Sequence, residues 1–247
     1  MVPLPLILGF FLVLTRIAGL IGTAPVLSSR SVPMRVKTAL AFAVSLLAFS
    51  ASGLPQIAVP ENFGGLIGLV LSEAVVGAAA GLSSRLVLDA AQFGGQSAGA
   101  AMGIGFGQTI NPNSGADSST IGDIYGALAL AVALGLGIHT EALAWIVRSL
   151  KEVPPGGTVD VMTLSSAMIR QVIFAVTLAI RIAYPLFAAS LFGYALLGLL
   201  GKASPQLSLS NLGFGVSILC GGGALYLVAP EGARICAQAA LVVFSRS

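Results

Sequence analysis

Charge is what this 247-residue sequence has least of. Only 9% of its residues are Asp, Glu, Lys or Arg, whereas 56% are hydrophobic and the mean hydropathy is +0.98. A soluble domain carries about 25% charged residues. Too little charge remains to cover a water-exposed surface, so the sequence predicts an integral membrane protein or a subunit of a membrane complex. The Lys and Arg residues lie singly or in small groups at the ends of apolar segments, which argues against nucleic-acid binding.

Residues that carry chemistry are equally scarce. The chain has one histidine, His139, and two cysteines, Cys220 and Cys236, which both lie in apolar stretches and are expected to be buried thiols. The sequence contains no nucleotide-binding loop, no nucleophile elbow and no cluster of metal ligands. We therefore predict that the chain is not an enzyme and has no catalytic residues, no metal and no cofactor.

Apolar runs long enough to cross a bilayer, which takes about 20 residues, follow one another along the chain. The first is expected to be a retained membrane segment, because no basic region precedes it. No strand-like alternation of polar and apolar residues occurs, so the predicted fold class is all-α. The run at 63–106 is expected to form two helices or a hairpin turning near Ser83–Arg85, and Pro230 is expected to separate off a short final helix. The apolar runs are 4–25, 36–52, 63–106, 121–147, 168–200 and 212–228.

Seven charged residues stand out among those that lie within these runs. A charge near the centre of a bilayer costs at least about 2.5 kcal/mol, so each is expected to pair with another group or to face a cavity. Arg85 and Asp89 are four residues apart and can pair on one helix face. The seven are Arg16, Glu73, Arg85, Asp89, Glu141, Arg170 and Arg181.

From residue 91 to residue 107, every fourth residue is an alanine or a glycine. Residues four apart share one face of a helix, and a ridge of glycines lets two helix backbones approach closely in a membrane. Because glycine costs about 1 kcal/mol relative to alanine inside a helix, the ridge needs a compensating contact. That contact is either with a neighbouring subunit or within this same chain. The ridge consists of Ala91, Gly95, Gly99, Gly103 and Gly107.

Two polar segments stand out against the apolar background. The segment 105–119 has poor helix propensity, and its backbone polar groups cannot face lipid unsatisfied, so it is either a surface loop or a plug that lines a cavity. The second is the break at 201–211, which contains Lys202, Pro205 and Gln206 and predicts a turn. The residues at the start of the first segment are Gly105, Phe106, Gly107, Gln108, Thr109, Ile110, Asn111, Pro112 and Asn113.

Several short sequence blocks follow one another along nearly the whole chain. They are Arg16–Gly19, Ala24–Ser29 and Val32–Lys37; Glu73, Gly77, Gly81 and Gly95; Asn111–Pro112; Gly137–His139, Ser149–Leu150 and Pro154; and finally Ala183–Pro185, Gly198–Lys202, Pro205–Leu207 and Gly213–Phe214. Taken together and in this order, the blocks resemble the FliR family of the flagellar protein export apparatus and its virulence type III secretion counterparts. The last block is the most specific.

The resemblance implies a single export-gate domain of broken helical hairpins, with a FliP-like part at 1–160 followed by a FliQ-like hairpin at 161–247. It implies a pore-forming role, with 105–119 as the plug loop and the turn at Lys202, Pro205 and Gln206 in contact with neighbouring subunits. The implied partners are FliP-like, FliQ-like, FlhB-like and FlhA-like proteins, unfolded protein substrates and membrane lipid. The implied location is the flagellar basal body in the bacterial inner membrane.

Three other functions compete with this one. A virulence export subunit would belong to the same family, although Gly213 is more typical of the flagellar branch. A solute transporter permease would have two internally similar halves with interrupted helices in corresponding places, and the sequence shows no such repeat. A purely structural membrane anchor would have no use for the polar segment at 105–119.

Overall fold

Seven helices make up most of the part of the chain that the computed structural model describes, namely residues 4–25, 27–28, 32–53, 60, 62–103, 120–157, 160–203 and 209–246. No strand occurs within these ranges, so the predicted all-α fold class is confirmed. The helices are α1 (Leu4–Thr23), α2 (Met34–Ala51), α3 (Phe63–Ala101), α4 (Thr120–Gly135), α5 (Ile138–Glu152), α6 (Val161–Ala203) and α7 (Leu209–Arg246).

Five of these helices, α1, α2, α3, α6 and α7, are long and apolar enough to cross a membrane. Helices α4 and α5 pass the same test only together, and they are bent by 64° at the break between them. The break contains Gly137, whose φ of 87° lies in the left-handed region that favours glycine. The architecture is therefore that of an integral membrane-type helical protein, as the sequence predicted.

The expectation of a turn near Ser83–Arg85 was wrong, because α3 runs unbroken for 39 residues. The hydroxyl of Ser84 donates to the carbonyl of Gly81 one turn back, at 2.9 Å. A serine that is satisfied in this way by its own helix gives the chain no reason to leave the helical path. The polar sequence at this point therefore lies within one continuous helix, with Ser84 buried and Arg85 exposed, and does not mark a loop.

The expected separation of a short final helix at Pro230 was also wrong. Helix α7 continues through Pro230, just as α6 continues through Pro185. A proline inside a helix removes one hydrogen bond and favours a bend, but burial on either side can keep the helix intact. Beyond the proline a buried stripe with helical spacing follows, formed by Ala233, Cys236, Ala237 and Ala240, which are all 0% exposed.

The chain divides into two compact units that share α3, α6 and α7. One comprises residues 1–86, 137–172 and 239–247, and the other comprises residues 87–136 and 173–238. We call them the first and the second unit.

In the first unit, α1 and α3 cross with their backbones in contact. A Cβ atom placed on Gly77 would overlap the carbonyl oxygen of Arg16, and one placed on Gly81 would lie 2.7 Å from that of Leu20. From the other side, a Cβ on Gly19 would lie 2.6 Å from the carbonyl oxygen of Ala74. Only glycine permits this crossing, which is the small-residue packing used between membrane helices.

In the second unit, α3 packs against α4, α6 and α7. A Cβ on Gly95 would lie 2.8 Å from Cβ of Tyr125 on α4. Near the end of α3 the core is formed by Ala98, Met102 and Leu186, which are at most 1% exposed. The side chain of Met102 fills the space left by Gly221 on α7.

Helix α6 begins at a capping residue. The carboxylate of Asp160 accepts hydrogen bonds from the backbone N–H groups of Met162, at 3.1 Å, and Thr163, at 3.2 Å. It also accepts one from the Thr163 hydroxyl, and this bond in particular lowers the pKa of Asp160 below its ordinary value. A carboxylate in this position satisfies free N–H groups at the start of the helix and favours its positive end.

We predict that Gly77→Ala destabilises the protein whereas Gly68→Ala does not. Alanine at 77 would drive its methyl group into the α1 backbone, and overpacking of this kind costs about 1–3 kcal/mol. At Gly68, on the same helix, a Cβ meets nothing within 4 Å, so alanine would stabilise α3 by at most about 1 kcal/mol. Thermal unfolding of the purified protein in detergent measures both effects, and equal midpoints for the two variants would contradict the close crossing.

Candidate functional site

An ion pair between α1 and α3 lies at the centre of the first unit. Nε of Arg16 donates to Oε2 of Glu73 at 2.5 Å. The two side chains are only 1% and 2% exposed. The expectation that these two charges within apolar runs would find partners is confirmed.

The pair extends into a network that reaches α5 and the turn after it. Nη1 of Arg16 donates to the carbonyl oxygen of Ser149 at 3.0 Å. The second carboxylate oxygen of Glu73, Oε1, accepts the backbone N–H of Gly156 at 2.9 Å. Gly156 has a φ of 80°, so the turn adopts a conformation that glycine allows at little cost. One ion pair thus joins α1, α3, α5 and the turn that follows α5.

The network is built for position and not for chemistry. Nη2 of Arg16 is buried and has no hydrogen-bond partner among the described residues, and a guanidinium offers donors but no acceptor. Removing one partner of such a pair leaves a buried unpaired charge and costs about 3–5 kcal/mol. Sequence reasoning found both charges but not their pairing, because 57 residues separate them. The available signal was a single arginine in the first apolar run and a glutamate in the third.

A second arginine ties α5 to the end of α7 in the same unit. Nη2 of Arg148 donates to the carbonyl oxygen of Phe244 at 2.5 Å and lies 3.7 Å from the carboxylate of Glu141. Both charged side chains are 40% exposed. The last carbonyl groups of a helix lack partners within it, and a cation there also favours the negative end of the helix. Arg148 therefore caps α7.

The predicted glycine ridge divides into two parts in the structure. Gly95 and Gly99 are buried on α3. Gly103 lies just beyond the helix with a φ of 78°, the left-handed conformation with which a glycine commonly ends a helix. Gly107 lies outside the described residues.

The end of α3, from which the chain leads into 104–119, is fixed by two hydroxyl groups of the second unit. The hydroxyl of Tyr194 on α6 donates to the carbonyl oxygen of Ala101 at 2.8 Å. That of Ser217 on α7 donates to the carbonyl oxygen of Met102 at 3.0 Å. These are carbonyl groups that a helix end leaves without partners.

The residues predicted for the plug lie beyond this fixed end, outside the described part of the chain, and so do two of the three turn residues. The third, Lys202, is exposed in the last turn of α6. The residues outside are Gly105, Phe106, Gly107, Gln108, Thr109, Ile110, Asn111, Pro112 and Asn113 of the plug, and Pro205 and Gln206 of the turn.

Chemically reactive groups do not converge in the described part of the chain. No three His, Cys, Asp or Glu side chains lie together there in a way that could hold a metal ion. Cys236 is buried and Cys220 is half-buried, and both are free thiols.

A chain with five helices long and apolar enough to span a bilayer, whose buried charges pair across helices, belongs to the class of polytopic membrane proteins. The family model described as "Bacterial export proteins, family 1" matches residues 7–241. Because the match covers nearly the whole chain, the chain belongs to this family, in which its curated relatives are FliR proteins.

Three relatives show how far the similarity extends. The flagellar biosynthetic protein FliR of Escherichia coli (strain K12) is 29% identical over 227 residues, which are 92% of this chain and 86% of the relative. FliR of Pectobacterium carotovorum is 27% identical over 221 residues, covering 90% and 84% of the two chains. FliR of Caulobacter vibrioides is 23% identical over 210 residues, covering 85% and 84%. The resemblance drawn from the sequence blocks is confirmed.

We predict that the Arg16–Glu73 pair tolerates joint replacement better than the loss of one partner. Arg16→Met alone leaves the Glu73 carboxylate buried without its counter-charge and should cost about 3–5 kcal/mol. The double variant Arg16→Met/Glu73→Leu removes both charges and should recover most of that loss. Unfolding midpoints in detergent for the single variants and the double variant test this.

The Arg148–Glu141 pair, in which both side chains are 40% exposed, provides the control for this comparison. Glu141→Gln removes a partner 3.7 Å from Arg148 and should change stability by at most about 1 kcal/mol. If Arg16→Met lowered the unfolding midpoint no more than Glu141→Gln does, the buried network would be refuted as a stabilising element.

Proposed function

We propose that this chain is a pore-forming subunit of the flagellar type III protein export gate. It assembles with FliP-like and FliQ-like subunits into the conduit for unfolded flagellar proteins, in the bacterial inner membrane at the flagellar basal body, next to FlhB-like and FlhA-like export proteins. The observation that carries this proposal is the family match over residues 7–241, with FliR relatives of which the chain covers more than four fifths. Those relatives carry flagellar names, which favours the flagellar over the virulence branch.

The length of α6 supports assembly with other proteins. At 1.5 Å per residue, its 43 residues would span roughly 65 Å if the helix were straight, about twice the 30 Å hydrocarbon core of a bilayer. Large apolar side chains are exposed along its whole length, from Met162, 79% exposed, through Tyr184, 73% exposed, to Leu199, 67% exposed. Lipid covers only part of such a helix. Neighbouring subunits are the natural cover for the rest.

The packing of α6 on α7 supports the proposed FliQ-like hairpin at 161–247. A Cβ on Gly193 of α6 would lie 3.2 Å from Cβ of Cys220 on α7, and one on Gly213 of α7 would lie 3.8 Å from Cδ1 of Leu197 on α6. The two helices therefore contact each other close to residues 204–208, which connect them in sequence. We propose that Lys202, Pro205 and Gln206, the residues of the predicted turn, contact neighbouring subunits.

The anchored end of α3 supports the proposed plug at 105–119. The hydroxyl groups of Tyr194 and Ser217 hold the carbonyl groups of Ala101 and Met102 at the end of α3, and Met102 is three residues before Gly105. A segment that closes a conduit needs a fixed point of attachment, and α3 supplies one. In the proposed assembly, Gly95 and Gly99 pack the helix that carries the plug.

We predict that the tagged full-length chain, purified from its native host, brings FliP-like and FliQ-like proteins with it. The exposed apolar surface of α6 requires protein cover, and mass spectrometry of the purified sample identifies what supplies it. Recovery of a solitary monomer, or of a cytoplasmic ATPase without these partners, would contradict the export-gate proposal.

Two variants that each reverse the charge of one lysine test the proposed contact turn in the same experiment. Lys202→Glu alters the proposed contact turn and should lower the recovery of partners about fivefold, equivalent to about 1 kcal/mol. Lys151→Glu reverses an equally exposed lysine at the end of α5 and should leave recovery unchanged. Equal recovery with both variants would argue against a contact at Lys202.

We also predict that deleting residues 106–117 makes the assembled complex leak ions. If the segment closes the conduit, its removal leaves an open aqueous path through the membrane. Ion conductance of the complex in planar bilayers or loaded vesicles measures this, with the intact complex and protein-free vesicles as controls. Unchanged conductance, in a variant that retains its partners, would count against the plug.

A further inference from the structure

Arg181 lies in the middle of α6 and has no partner there. It comes 20 residues after Val161 and 22 before Ala203, roughly 30 Å along the helix from each end at 1.5 Å per residue. The residue is exposed, whereas Ile182 and Ala183 beside it are 4% exposed and belong to the core of the second unit. Within the described part of the chain, no hydrogen bond or ion pair reaches its guanidinium group.

The second unit has an acid at the same level, but that acid does not pair with Arg181. A Cβ on Gly232 of α7 would lie 3.6 Å from Cγ1 of Ile182 on α6. Glu231 precedes Gly232 just as Arg181 precedes Ile182. Glu231 is exposed, and no ion pair joins it to Arg181. The described residues therefore supply no ion-pair partner for this arginine.

The exposed surface around Arg181 is apolar in both directions along the helix. No Asp or Glu occurs anywhere in α6. Proteins that work alone rarely leave a large contiguous apolar patch uncovered, and such a patch marks an interaction site. The large side chains that flank Arg181 and are more than half exposed include Ile173, Val176, Ile180, Tyr184 and Leu191.

No position of a bilayer suits both the charge and its apolar surroundings. If hydrocarbon covers the residues on both sides, Arg181 lies within it, where an unpaired charge costs at least about 2.5 kcal/mol. If a bilayer surface lies at Arg181, the apolar side chains of either 173–180 or 184–191 remain outside the hydrocarbon.

A protein neighbour with an apolar surface and one carboxylate resolves this conflict. The apolar surface covers the side chains on both sides of Arg181, and a carboxylate accepts two parallel hydrogen bonds from a guanidinium group. The neighbour is a helix, because only a helix satisfies its own backbone polar groups against so apolar a face.

We propose that the exposed face of α6 around Arg181 docks an apolar helix of a neighbouring subunit, and that an Asp or Glu on this helix pairs with Arg181. The proposal deepens the export-gate proposal and rests on it only in requiring a protein neighbour. It adds the chemistry by which that neighbour is recognised.

Three replacements of Arg181 test the sign of the neighbour's charge. The tagged full-length chain is purified from its native host in each form, and mass spectrometry measures the recovery of partners. Arg181→Lys keeps the charge and should change recovery by no more than about threefold, equivalent to about 0.7 kcal/mol. Arg181→Leu leaves the neighbour's carboxylate buried without its counter-charge and should lower recovery about thirtyfold, equivalent to about 2 kcal/mol. Arg181→Glu should lower it further, and undiminished recovery with Arg181→Leu overturns the proposal.

Arg35→Glu provides the matched control. It reverses an exposed arginine in the first turn of α2, where an acid favours the positive end of the helix, so recovery should stay unchanged. Because Arg181 has no partner among the described residues, its variants should unfold in detergent at the same midpoint as the unaltered chain. An equal loss of recovery with Arg35→Glu and Arg181→Glu overturns the proposal.

A photoreactive benzoylphenylalanine in place of Tyr184 identifies the neighbour directly. Position 184 lies three residues after Arg181 on the same face of α6. We expect crosslinks to an apolar helix of a co-purified subunit, within about two turns of an Asp or Glu. Changing that acid to Lys should restore the recovery that Arg181→Glu loses.

Several outcomes of the crosslinking would overturn the proposal. They are adducts with lipid alone, with a second copy of this chain, with its own residues 104–119, or with a segment that carries no acid. Failure of the charge exchange to restore recovery would overturn it as well.

The partners of the unaltered chain decide the export-gate proposal separately. If they are unlike FliP and FliQ but crosslink through an acid-bearing helix, the export gate is refuted and the docking at Arg181 is supported. If FliP-like and FliQ-like proteins are recovered equally with the unaltered chain and with every Arg181 variant, the export gate is supported and the docking is refuted.

Discussion

A charge buried among apolar helices must find its counter-charge inside the protein, and in this chain that requirement fixes the first unit. The side chain of Arg16 pairs with Glu73, while the carbonyl oxygen of the same arginine lies against Gly77 one turn further along α3. The ion pair and the close backbone crossing therefore act at one point and set one register between α1 and α3. Because Glu73 also accepts the N–H of Gly156, the turn after α5 is held in the same register.

The three longest helices impose a second constraint. At 39, 43 and 38 residues, α3, α6 and α7 would each measure roughly 57–65 Å if straight, well beyond the thickness of one hydrocarbon core. A membrane alone cannot cover apolar side chains over such a length. The exposed side chains of α6 in particular are as apolar as those of a protein interior, but they are not covered by the described part of this chain. This physical reasoning, independent of the family match, favours a chain that works as part of an assembly.

The class of protein could be predicted from the sequence, because low charge and long apolar runs leave few alternatives. The family could also be predicted, since its motif blocks occur in order along the chain. Helix boundaries could not, because the local signals were overridden by contacts made elsewhere: Ser84 is satisfied by Gly81 within α3, and burial of Ala233 and Cys236 keeps α7 helical past Pro230. The partner of Arg16 could not be predicted either, since only the fold brings Glu73 beside it.

The two units hold α3 by interactions of different kinds. In the first unit the helix is held by a buried ion pair, and losing one partner of such a pair costs about 3–5 kcal/mol. In the second unit the end of α3 is held by neutral hydrogen bonds from Tyr194 and Ser217, of a kind worth about 0.5–1.5 kcal/mol each. Helix α3 is thus held in both units, and its end at Ala101 is a fixed point from which the chain leads into 104–119.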